Sequence, residues 1–292
     1  MDRRLRLRFI TCAVGEAFFG AVKRGMQDAA AMLGVEAEFA GTEGVDLAAQ
    51  AEMVRAAVTA GCDGIALNVI HATAFEEVVR EALEGGVPVV AFNVDGTYGR
   101  GPHLSSVNQD LYRAGRTLGE RAAEHLAHGA RALITMHDEG ISALEDRARG
   151  IQEAIAEARQ ATWETVVTGI DPERAAAIVG ESLEANPAIS AVLCTGQADT
   201  EGAGLALERR VGERPRFAAG FDLSPGILRL IKQEVIDFTI DQQPYVQGFY
   251  PVVQLVLYCR YGIAPSSMDA GAGIITRENV DGVMELCARG YR

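Results

Sequence analysis

Five polar residues close predicted strands: Asn68, Asn93, Asp138, Asp222 and Gln242. In an open α/β sheet the carboxyl ends of the strands face the crevice where ligands bind, so several polar groups at that edge suit a small polar molecule. Asp222 and Gln242 carry this expectation furthest, because two neighbouring strands, 217–221 and 237–240, finish beside them where helices begin. The competing role for Asn and Asp at such places is to cap the next helix or turn. Phe18 and Phe19 are adjacent on a helix, about 100° apart, so one ring belongs in the core while the other can line a groove. A groove ring would offer an aromatic wall to the apolar C–H face of a sugar. Arg147, in EDRARG near a helix start, either turns into the crevice or pairs with Glu145 or Asp146 on the surface.

Catalytic signatures are missing: there is no GxSxG elbow, no phosphate-binding GxxxxGK[ST] loop and no HExxH. His125 and His128 lie three apart on a helix, but no further metal ligand has supporting spacing, so a solvated face is expected. Gly202-Ala-Gly204 lacks the third glycine of a dinucleotide fingerprint and is assigned to packing, and Trp163, in an apolar strand, is expected in the core. Binding without a cofactor or metal is therefore the expectation. The net charge of −13 leaves no basic patch for nucleic acid or an anionic membrane. Five scattered cysteines are not a disulfide framework, and by composition alone they lean towards a reducing compartment. The N-terminus lacks a secretory apolar region and no 18-residue apolar span occurs. Two origins fit: a cytoplasmic protein, or a mature form whose signal segment was removed and a start Met added.

The elements that must position these residues alternate strictly. A chain of 292 residues exceeds what one core usually fills, which predicts two domains. Apolar runs at 6–14, 35–40, 64–68 and 87–92 are separated by helical patterns, one of them opened by a predicted Thr73–Glu76 capping box. Such alternation implies parallel sheets with right-handed crossovers. A glycine-rich passage, 95–103, breaks the rhythm before a strand at 104–107. A second set then runs to 240, and VPVVAFN at 87–93 is echoed by RPRFAAGFD at 214–222, each the fourth strand of its set. The fold expected is α/β, two Rossmann-like lobes. The nearly apolar helix after Gln242 should be buried or lie at a lobe interface, with a kink at Pro251, and the tail should add a short strand at 274–275 and a helix at 280–287.

EAFF at 16–19, VPVVAFN at 87–93, RARG at 147–150, AAGFD at 218–222 and TIDQQPYVQG at 239–248 occur in that order. Together they resemble the periplasmic sugar-binding proteins of ATP-binding-cassette importers, whose type I fold includes ribose-binding protein. The resemblance implies three crossings, near Ser106, between Gln242 and Gln243, and around Gly271. Residues 1–106 and 243–271 would form the N-terminal lobe, and 107–242 and 272–292 the C-terminal lobe, closing on a monosaccharide. It also implies Phe18 and Phe19 as stacking rings and Asn93, Arg147, Asp222 and Gln242 as hydrogen-bonding groups, with Gln197 near a family asparagine. Planar two-headed groups suit sugar hydroxyls, which both donate and accept. This chain has Glu16-Ala17 where ribose binders have Asn-Pro, Asn93-Val94 where they have Asp-Arg, and Ile170 nearest to a missing aromatic. Glu16, Asn93 and Val94 would thus set selectivity, and the departures point away from ribose, towards another monosaccharide or a sugar alcohol such as a pentitol or inositol.

The function this implies is a monomeric periplasmic receptor that traps a neutral sugar or polyol by hinge closure and delivers it to the membrane permease of the importer. One alternative is the effector half of a lactose-repressor-like regulator. That reading needs a helix-turn-helix ahead of the first strand, which here begins by Arg6, and the acidic charge disfavours DNA. The other is an α/β enzyme acting on a polar metabolite, which the absent motifs disfavour.

Overall fold

Apolar strand runs and 3.6-residue helical periodicity alternate along the chain, and the computed structural model, which describes residues 4–12, 14–138, 142–210 and 216–292, follows them. The chain begins β1 (Arg6–Thr11), α1 (Phe19–Leu33), β2 (Glu36–Gly41), α2 (Leu47–Thr59), β3 (Gly64–Val69), α3 (Glu76–Glu84), β4 (Val89–Asp95) and β5 (Ser106–Asn108). It continues α4 (Leu111–His125), β6 (Arg131–Met136), α5 (Ser142–Arg159), β7 (Thr162–Val167), α6 (Pro172–Ala185), β8 (Ile189–Cys194), α7 (Gln197–Glu208), β9 (Phe217–Phe221), α8 (Pro225–Lys232) and β10 (Phe238–Asp241). It ends α9 (Pro244–Tyr261), β11 (Met268–Asp269), β12 (Gly273–Thr276) and α10 (Val280–Ala288). Helix starts follow local chemistry. Asp46, Asp110, Asp171 and Ser224 each accept a hydrogen bond from the backbone N–H three residues on, and proline opens α6, α8 and α9.

Two compact units result. The first joins the chain up to Gln109 to Gln243–Ala270 and Arg289–Arg292; the second comprises Asp110–Gln242 and Gly271–Ala288. Each holds one sheet, ordered β11-β5-β4-β3-β1-β2 in the first and β12-β10-β9-β8-β6-β7 in the second. Pairing is parallel except between β10 and β12. The two orders correspond strand for strand, so β4 and β9, which carry the repeated string, hold the same place; Arg214 and Pro215 of that string lie outside the described residues.

In the first unit α1 and α9 cover one face of the sheet around Phe9 and Phe92, and α2 and α3 cover the other around Ile10, Ile65 and Leu67. Strands buried on both faces explain why β3 and β4 read as unbroken apolar runs. Each such fully buried side chain contributes about 1.5–3 kcal/mol. The second unit repeats the plan, with α4 and α5 on one face and α6 and α7 on the other.

Several expectations need adjustment. Residues 107–109 belong to the first unit, because β5 pairs with β4 and with β11, a strand too short to show a period. The last four residues also belong there, where Tyr291 packs on Tyr245 and under Arg24. Thr73 does not cap α3 through its side chain; the backbone N–H groups of Thr73 and Ala74 instead donate to Nδ1 of His71. Trp163 is 37% exposed, since β7 is an edge strand. His125 and His128 are both exposed, as the solvated-face expectation has it, and the ring of His125 also stacks on Phe217. Helix α9 carries Pro251 inside it and, rather than being buried all round, leaves Tyr250, Leu257 and Tyr261 exposed on one side. Gly202 and Gly204 do pack, against Ala175 and against Leu230 and Ile236.

Candidate functional site

Near the carboxyl end of β4 and just after β9 the backbone turns left-handed on a non-glycine residue, with φ 64° at Asn93 and 70° at Asp222. Asn and Asp are the side chains that best tolerate this region, because a short polar group can bond locally in compensation. The repeat is therefore one of backbone geometry as well as letters: a left-handed residue follows the same apolar run in both sheets, two residues before β4 ends in the first and directly after β9 in the second. Strain of this kind is retained where surrounding contacts hold it, and it clusters at ligand-contacting positions.

In the first unit the Asn93 side chain belongs to a chain of amides. Asn68 donates to its Oδ1 at 3.0 Å, and Asn93 Nδ2 donates to Oε1 of Gln247 at 3.0 Å. Gln247 is wholly buried on α9, and Gln50, buried on α2, donates to the Asn68 carbonyl. The thiol of Cys12, at the end of β1, donates to Asn68 Oδ1 at 3.3 Å. Burial, and then the charge of Glu16, push that thiol above the usual cysteine range. Phe18 and Phe19 meet edge to face, 5.2 Å apart; Phe19 is buried against Phe39, while Phe18 is half-buried. One ring fills the core and the other borders the surface, as their 100° separation requires. Glu16 is exposed in the turn before α1.

In the second unit Asp222 is held from two sides. Gln242 Nε2 donates to its Oδ1 at 2.6 Å, and Arg147 Nη1 lies 3.7 Å from its Oδ2. Arg147 is buried rather than paired at the surface with Glu145 or Asp146; Asp146 pairs with Arg149 instead. Its guanidinium stacks 4.1 Å over the Phe221 ring and donates to the Thr195 carbonyl at 2.9 Å. Burial pulls the Arg147 pKa below the usual arginine value, and Asp222 and Asp199 act against that fall. Gln197, the first residue of α7, donates to the Leu223 carbonyl, next to Asp222. Asp138 is exposed at the end of β6.

Two groups thus assemble: Asn68 with Asn93 in the first unit, and Arg147, Asp222 and Gln242, with Gln197 alongside, in the second. The sequence reading missed Gln50, Gln247, Thr195, His137 and Asp199. Gln247 had one legible signal, an amide one turn into a largely apolar helix. Among the described residues no group of His, Cys, Asp and Glu is placed to hold a metal ion, and no helix is long and apolar enough to cross a membrane. The arrangement offers planar donors and acceptors fixed by buried partners, which is the equipment of a polar binding site.

Comparison with known proteins agrees with this plan. The family described as periplasmic binding protein domain matches residues 8–262. The xylose/arabinose-binding protein XylF of Sulfolobus acidocaldarius is 29% identical over 290 residues, covering 94% of this chain and 72% of that protein. The ribose import binding protein RbsB of Escherichia coli is 22% identical over 238 residues, covering 82% of this chain and 79% of that protein. Among solved structures, a carbohydrate transporter from Acidothermus cellulolyticus in complex with myo-inositol aligns with a TM-score of 0.85 at 26% identity, covering 99% of this chain and 100% of that one. With a family match spanning most of its length and a duplicated parallel-sheet plan of the type I kind, the chain belongs to the periplasmic binding protein family.

Proposed function

We propose that this chain is the solute receptor of a carbohydrate importer and binds a neutral monosaccharide or sugar alcohol without chemical conversion. The observation that carries the reading is the pair of left-handed strand ends, Asn93 and Asp222, each buttressed by further planar polar groups. Amides, a carboxylate and a guanidinium can each bond two neighbouring hydroxyls, and Phe18 supplies an apolar surface for ring C–H groups. Relatives named for xylose and arabinose, for ribose, and in complex with myo-inositol support a pentose or a cyclic polyol. Val94 beside Asn93 adds no charge to the first group, which suits an uncharged ligand. Glu16, Asn68 and Gln197 complete the candidate contacts, and Phe19 and Asp138 rank behind them, one buried in the core and the other exposed. The receptor acts as a monomer outside the cytoplasmic membrane and passes its ligand to a membrane permease. The repressor alternative lacks support from the relatives, whose names are those of binding and import proteins.

The test is a thermal-shift and calorimetric screen of D-xylose, L-arabinose, D-ribose, D-glucose, ribitol and myo-inositol. At least one is expected to bind and to raise the unfolding temperature. Asp222→Ala and Asn93→Ala, one in each unit, are each expected to weaken it at least tenfold; binding that survives both substitutions would overturn the assignment.

A further inference from the structure

His137 stands at the end of β6, and the sugar reading makes no use of it. Its side chain is 25% exposed and its Nδ1 lies 3.9 Å from Oδ1 of Asp199, whose side chain is wholly buried. That gap is too long for a direct hydrogen bond, and neither of the two facing atoms has a hydrogen-bond partner among the described residues. Asp199 cannot turn away, because its other oxygen accepts from the Thr195 backbone N–H and the Thr135 hydroxyl, both at 2.8 Å. Gly196 keeps the approach open: a Cβ there would lie 2.6 Å from His137 Nδ1 and 3.0 Å from Asp199 Oδ1. The charged groups acting on the imidazole are Asp199 on α7, Asp222 after β9 and Asp138 beside it. Arg147, on α5, is drawn to both Asp222 and Asp199. Arg147 lies 3.7 Å from Asp222, and with a neutral imidazole the buried charge of Asp199 would also draw on its guanidinium. An imidazolium would satisfy Asp199 and leave Arg147 to Asp222.

We propose that His137 is a positioning residue of the Asp222 wall: as the cation facing Asp199, it commits Arg147 to Asp222 and so fixes the carboxylate that the ligand meets. The proposal rests on the reading of that wall as a sugar site. Burial acts to lower the His137 pKa, but Asp199, Asp222 and Asp138 outweigh it, and the net shift is upward from the ordinary histidine value of about 6.5. Affinity is therefore greatest while His137 is protonated and falls as pH rises through that raised value. By reciprocity, bound ligand raises the pKa further.

Two measurements on the whole chain test this. In an NMR titration of the five histidines, the signal lost in His137→Gln identifies the residue. Its pKa is expected above about 6.5, lower in Asp199→Asn, and higher with ligand. Calorimetry with the tightest binder among D-xylose, L-arabinose, D-ribose and myo-inositol, between about pH 5 and 8, is expected to show affinity falling about fivefold towards high pH. That slope should vanish in His137→Gln and in Gly196→Ala, whose Cβ crowds the imidazole and Asp199 Oδ1 without substituting Arg147 or Asp222. An imidazole that titrates below about 6.5, or a slope that survives in both variants, overturns the proposal. If Asp222→Ala and Arg147→Ala leave affinity intact, the sugar-site reading fails and the ligand coupling falls with it, while the imidazole titration still decides the pairing with Asp199.

Discussion

At the scale of single residues, the candidate contacts are held by side chains that would touch no ligand. Asn93 depends on Gln247, so Gln247→Leu keeps the volume and removes the acceptor for the Asn93 amide. The expected result is an intact fold and a loss of about 1 kcal/mol in ligand binding, about fivefold in affinity by calorimetry. Asp95 shows the same economy in the passage that reads as loose from its glycines. It accepts from the Thr97 backbone and hydroxyl and from the Gly99 N–H, and it faces His103 at 3.2 Å. Burial would raise the Asp95 pKa, but the bonds to His103 and Thr97 outweigh it and hold the carboxyl below its ordinary range. A depressed folded value stabilises the protein above the unfolded pKa of about 3.9, and that stability is lost as pH falls through the folded value. Asp95→Asn should therefore unfold at a lower temperature than the parent at pH 7, with the gap closing below about pH 4, as thermal melts at both pH values would show.

At the scale of elements, each unit has one pair of helices that meet each other at glycines. Gly25 and Gly248 bring α1 and α9 into backbone contact, and Gly115 and Gly150 do the same for α4 and α5. A Cβ on Gly115 would overlap the backbone of Arg147, so the glycine of α4 sets where the arginine of α5 begins. Gly115→Ala is expected to cost about 1–3 kcal/mol in urea unfolding and to weaken ligand binding by moving Arg147. Gly20→Ala, in α1 and facing open space, should instead gain about 0.5–1 kcal/mol with binding unchanged. The contrast separates helix propensity from close packing. It also explains RARG at 147–150: its arginine approaches Asp222 and its glycine permits the helix contact that puts the arginine there.

At the scale of the molecule, the chain passes between its units at 109–110, 242–243 and 270–271, and a final return after Ala288 brings the tail to the first unit. Gln243 and Gly271, beside two of these passages, both have left-handed backbone. A ligand that binds only the folded chain stabilises it, by about 2.7 kcal/mol at a hundredfold excess over Kd. The unfolding temperature should rise by a few degrees with ligand, and Arg147→Ala should abolish that rise, which a pair of melts would check. The alternation of strand and helix, the duplication, and the polar residues at the strand ends were all legible in the sequence, because strand runs, helical periods and caps are set by neighbours a few positions apart. The partners of those residues were not. That Gln247 meets Asn93, that Asp199 faces His137, that Arg147 is buried on Phe221 and that Trp163 is exposed depend on which distant segment covers each side chain. A residue's type and local element are written within one turn of chain, whereas its burial and hydrogen-bond partner exist only once distant segments, such as β4 and α9, have packed.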